Sequence, residues 1–176
     1  MKIDIARQPL VPAFMTLFAL AVAAMCAGIP VSDTSGAVRD ALPLLGGQLA
    51  RFQAAYPVWS KFAAGFMLLF TGMCAGRITI RYNLYTVGTC LPIPLYAIVA
   101  CGIATGGNYL AGFAASMLLA LATKNYCRAF CNGYGFDAIF RASLYLGLMP
   151  LVYAPGLPML LLLPLAWGMG IVRPKF

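Results

Sequence analysis

The chain has 176 residues, 62% of them hydrophobic, and only twelve basic and four acidic side chains, for a net charge of +8. A domain that folds in water carries about 25% charged residues, against 9% here. Such a chain cannot clothe a water-facing surface, so it is expected to be solvated by lipid as an all-α, polytopic transmembrane bundle.

Segment one runs from Leu10 to Ile29. Twenty residues at 1.5 Å rise span about 30 Å, the thickness of the hydrocarbon core. This is longer than the apolar part of a signal peptide, so a retained helix is expected. Pro30 and the polar run after it end the segment. Residues 30–57 form the one long loop, with Asp33, Arg39, Asp40 and Arg51. Val38 to Phe52 mixes apolar and polar residues, which fits an interfacial or re-entrant helix broken at Pro43 and Gly46-Gly47; a plain loop is the alternative. Segment two is 58–76, with Tyr56 and Trp59 at a lipid–water boundary and Lys61 able to snorkel outward. Segment three is 84–106; Pro92 and Pro94 are expected to kink it and free backbone carbonyls. Segments four (108–123), five (136–153) and six (157–172) are shorter, and tight turns join three to four and five to six. The chain is thus expected to be one domain, 1–176, without internal repeats.

Charge gives the orientation. With the N-terminus inside, Lys2, Arg7, Arg77, Arg81, Lys124, Arg128, Arg141, Arg173 and Lys175 lie on the inner side, and Arg39, Arg51 and Lys61 on the outer. Nine against three is the positive-inside bias, and it requires six helices with both termini in the cytoplasm.

Little chemistry is offered. There is no histidine, which removes the commonest general base and metal ligand. No P-loop, GxGxxG, HExxH or nucleophile elbow occurs, so no catalytic, cofactor or metal site is expected. Six cysteines at irregular spacing give no disulfide framework; a Cys26–Cys101 bridge stays open. Cys127 and Cys131 lie one turn apart beside Lys124 and Arg128, too few ligands for zinc. Asp137 stands four residues before Arg141, where the two can pair on a helix. Arg77, Arg81, Lys124, Arg128 and Arg141 should face one boundary, as anchors or as contacts for an anionic lipid headgroup or phosphate. Small residues four apart suggest helix–helix packing: Ala19 and Ala23, Gly72 and Gly76, Gly102 and Gly106, and Gly112 before Ser116.

Some runs have a familiar look. Arg81-Tyr82-Asn83-Leu84-Tyr85, then Leu91-Pro92-Ile93-Pro94-Leu95-Tyr96, then Phe136-Asp137-Ala138-Ile139-Phe140-Arg141 and Gly147-Leu148-Met149-Pro150 resemble an uncharacterised family of polytopic inner-membrane proteins of the Bacteroidetes. The likeness covers about residues 77–173. It implies an inner-membrane, all-helical protein and no particular reaction. Members of that family continue with further helices past Arg173-Pro174, so the resemblance leaves open a short member or part of a longer chain. The reading that results is a non-catalytic membrane subunit or scaffold, with other integral membrane subunits and the bilayer as partners and no nucleic acid. Two rivals stand beside it. One is a solute- or lipid-binding transport component, whose site would be lined by Tyr96, Asn108 or Tyr109. The other is a lipid-phosphate enzyme, which needs an acid or nucleophile beside Arg141.

Overall fold

The computed structural model describes residues 10–26, 44–82, 90–104, 108–132 and 135–168. These residues are helical throughout apart from breaks of one or two residues, with no strand among them. Helix α1 is Leu10–Cys26, α2 Leu44–Ala55, α3 Pro57–Arg81, α4 Pro92–Ala104, α5 Tyr109–Asn132 and α6 Gly135–Val152. A 3-10 helix, Ala154–Leu161, then leads into α7, Leu162–Gly168.

Prolines set several boundaries. Pro57 separates α2 from α3, because its ring pushes Tyr56 out of helical geometry, to φ −132° and ψ 71°. Pro92 and Pro94 do not kink a span as expected. They occupy the first turn of α4, where backbone N–H groups have no helical partner to lose. Pro155 and Pro158 fall in the 3-10 helix. Gly46-Gly47 does not break α2, which runs through both glycines with Gly46 buried.

The lengths also differ from expectation. Helices α3 and α5 have 25 and 24 residues, extending past Gly76 and Thr123 into their basic ends. By contrast α4 has 13 and α7 has 7. Two helices, α3 and α6, are long and apolar enough to cross a membrane. Six such helices are not present among the described residues: α4 starts late at its prolines, and the sixth segment is divided between the 3-10 helix and α7. Residues 27–43, 83–89 and 169–176, including parts of segments one, three and six, lie outside the described residues.

Side-chain contacts fix the helix directions. Ser60 of α3 meets Tyr109 of α5, and further along both helices Thr71 and Ser116 lie at Tyr96 of α4. Helices α3 and α5 therefore run parallel. Ile93 lies over Gly76 while Tyr96 lies beside Thr71, so α4 runs back against α3. Ala111 and Ala114 of α5 pack with Val152 of α6, and Ala115 and Ala122 with Leu146 and Met149, so α6 is antiparallel to α5.

The interior is built from small residues. Twelve of the twenty-three buried apolar side chains among the described residues are alanine, so the helices meet with little side chain between their backbones. Gly72 and Gly76 allow the closest approach. A Cβ at Gly72 would lie 2.5 Å from Leu17 Cδ2, and one at Gly76 would lie 2.5 Å from Ile93 Cδ1. The face of α1 turned inward carries Ala13, Leu17 and Ala21, all essentially inaccessible, whereas Ala19 is exposed. The expected packing face of α1 is thus rotated away from Ala19. The side chain of Ala23, and Gly102 and Gly106, lie outside what is described. Gly112 is partly buried.

Candidate functional site

The directions of the helices gather the basic residues. Parallel α3 and α5 end on the same side, and antiparallel α6 begins there. Arg77 and Arg81 from α3, Lys124 and Arg128 from α5 and Arg141 from α6 therefore share one end of the bundle, and all five are exposed. Arg141 Nε donates to Asp137 Oδ1 at 3.2 Å, in an ion pair exposed on both members. Asp137 lies closer to the start of α6, so the bond draws the guanidinium toward the basic end. Nothing encloses this carboxylate, and it serves as a helix-surface partner of Arg141. Among the described residues, Arg77, Arg81, Lys124 and Arg128 have no acidic partner.

The opposite end is aromatic and, inside, polar. Phe52, Tyr56, Trp59, Phe62 and Ala63 line a shallow open groove between α2 and α3, with the Phe52 and Tyr56 rings 5.6 Å apart. Trp59 is 69% exposed and Phe62 60%. Behind them, Ser60 and Tyr109 are buried with their hydroxyls 2.6 Å apart. Ser60 Oγ also donates to Pro57 O at 2.9 Å. A serine has one hydroxyl proton, so the Tyr109 O–H donates to Ser60, which donates to Pro57. Buried Gln53 accepts from the Leu110 N–H at 3.4 Å, covering one of the free donors at the start of α5 and tying α2 to the bundle.

A second polar group lies deeper. The hydroxyls of Tyr96 and Ser116 are 3.2 Å apart, and the Ser116 hydroxyl also reaches Phe113 O at 2.8 Å. Thr71 Oγ1 is buried beside Tyr96 without meeting hydrogen-bond geometry. Asn108 Oδ1 is likewise buried without a partner. Sequence reasoning singled out Tyr96, Asn108 and Tyr109 but missed Gln53, Ser60, Thr71 and Ser116 as their surroundings. A lone hydroxyl in an apolar helix carries no periodic signal, and only the helix directions show which of them meet.

Cys74, Cys90 and Cys127 form no disulfide; the side chains of Cys26, Cys101 and Cys131 lie outside the described residues. No group of three or more metal-ligating side chains occurs among the described residues. Comparison with family models, with curated proteins and with solved structures finds no match to this chain.

Proposed function

We propose that the chain is a multi-pass integral protein of a cell inner membrane, with both termini in the cytoplasm, working as a non-catalytic subunit or scaffold of a membrane complex in cell-envelope assembly. One observation carries the membrane reading: the bundle is apolar on the outside and small-residue on the inside. Phe66 (67% exposed), Ile98 (66%) and Phe140 (61%) face outward, while Ala97, Ala111 and Ala142 are wholly buried. In water that exterior would form an apolar patch far larger than a soluble monomer carries. In lipid it costs nothing, and small interior residues are what helix association there uses.

Dimensions agree with the reading. Trp59 and Arg77 are eighteen residues apart on α3, about 27 Å, close to the hydrocarbon thickness, with an interfacial aromatic at one end and a cation at the other. The alternating directions of α3, α4, α5 and α6 support a chain that passes back and forth more than once.

The scaffold reading is supported by the absence of recognisable catalytic motifs and by an exterior rich in side chains that other helices can pack against. Affinity purification of the full chain in mild detergent tests it. Reproducible recovery of defined membrane partners is expected, and recovery as a clean monomer contradicts it. Against the transport reading, the hydroxyls of Tyr96 and Tyr109 are already engaged with Ser116 and Ser60; in its favour stands only the buried, unpartnered Asn108 Oδ1.

A further inference from the structure

We infer that the basic end is a binding site for anionic phospholipid headgroups, formed by Arg77, Arg81, Lys124 and Arg128 across α3 and α5. The inference rests on the membrane reading and goes beyond it, because the positive-inside rule asks only how many cations lie on a side. Three features here exceed that requirement. Arg77 and Arg81 are four apart on one helix, and so are Lys124 and Arg128; in each pair like charges share a face and repel. Asp137 is the one acidic residue among the described residues, and it is engaged by Arg141 on α6, so no described carboxylate offsets the repulsion within either pair. A shared phosphate is the ligand that turns such pairs from repulsive to attractive, and guanidinium groups bind it through two parallel hydrogen bonds.

Depth gives the third feature. The Ser60–Tyr109 contact sets the register of the two parallel helices. Counting down from it at 1.5 Å per residue puts Lys124 about 22 Å away, Arg77 about 26 Å, Arg128 about 28 Å and Arg81 about 32 Å. The four backbone positions interleave within a band of about 10 Å, comparable to one headgroup layer once flexible side chains are allowed to reach. A soluble phosphate would need no such alignment with the bilayer surface. The ligand is therefore the phosphate of a lipid in the leaflet at that end.

The test uses the full chain reconstituted in phosphatidylcholine vesicles containing a minor fraction of phosphatidylglycerol. Spin-labelled forms of each lipid report the fraction held at the protein. Wild type is expected to hold the anionic lipid in preference to the zwitterionic one. Arg77→Gln/Arg81→Gln/Lys124→Gln/Arg128→Gln should lower that preference about tenfold or more, to near the zwitterionic level. Lys61→Gln, at the other end, and Arg141→Gln should leave most of it. Arg77→Lys/Arg81→Lys/Arg128→Lys keeps the charge without the guanidinium fork and should keep more of the preference than the glutamine variant while falling below wild type, which separates loss of charge from loss of fold. Equal preference in wild type and the quadruple glutamine variant overturns the inference. So does displacement by inorganic phosphate beyond that by chloride at matched ionic strength, which would mark a soluble-phosphate site. If the chain leaves the vesicles in an alkaline wash, the membrane reading fails and takes this inference with it. Retention without headgroup preference overturns this inference alone.

Discussion

On α3, the inward face carries Ser60, Ala64, Gly65, Leu68, Thr71, Gly72 and Gly76, and the outward face carries Trp59, Phe62, Phe66 and Phe70. The Phe66 and Phe70 rings stack 6.2 Å apart, with Phe66 67% exposed. In water the large rings would be driven inward and the serine, threonine and glycines left outside. On the membrane reading, the two faces of one helix answer to different forces. Inside, backbone proximity and the Ser60–Tyr109 hydroxyl contact hold the helices together; outside, side chains need only be compatible with hydrocarbon.

Substitutions on the two faces can break or sharpen this contrast. The largest effect is expected from Phe66→Lys, which puts a charge near the middle of the outward face. It should cost about 3 kcal/mol of insertion, read as a lower membrane-inserted fraction, whereas the same change on a water-facing helix would be neutral or favourable. Next comes the inward face. Gly76→Leu must displace Ile93 and should destabilise the bundle by about 1–3 kcal/mol or more, seen as a lower unfolding temperature in detergent. Gly147→Ala is its control, because nothing lies within 4 Å of the added Cβ, and removing a helix-interior glycine should be neutral or slightly stabilising.

Smaller effects follow from the hydroxyls. Ser60→Ala leaves the buried Tyr109 donor unsatisfied and should cost about 1–3 kcal/mol. Tyr109→Phe leaves only an empty acceptor on a serine that still donates to Pro57, apart from the small volume lost, and should cost less. A double-mutant cycle in denaturant checks that order. The smallest effect is expected for Asp137→Asn, which breaks an exposed ion pair four residues apart and should change stability by about 0.5 kcal/mol or less.

The sequence announced α1, α3, α5 and α6 within a few residues at most boundaries, because long apolar runs bounded by charge leave little choice. It did not show which face of each helix turns inward. When a helix is apolar all round, periodicity is silent. A spacing of four small residues pointed to Gly72 and Gly76, which do receive Leu17 and Ile93. On α1 the same spacing fits both Ala19-Ala23 and the Ala13-Leu17-Ala21 row that is buried. The glycine pair in α2 and the prolines of α4 misled for a related reason. A local breaking tendency of about 1 kcal/mol is overridden by packing at Gly46, and at Pro92 it vanishes in the first turn. At the basic end, the five cations and the spacing that pairs Asp137 with Arg141 were legible in the sequence; the structure adds the helix directions that bring α3, α5 and α6 to that end and the Asp137–Arg141 bond itself.

The central claim is that hydrocarbon, and not water, bathes the outward face of α3. A spin label at Phe66→Cys, on a background without the six native cysteines, measures this in reconstituted vesicles through its collisions with oxygen, which dissolves in lipid, and with a water-soluble nickel complex. The account predicts frequent oxygen collisions and almost none with nickel. Nickel contact equal to that of an aqueous loop would contradict it.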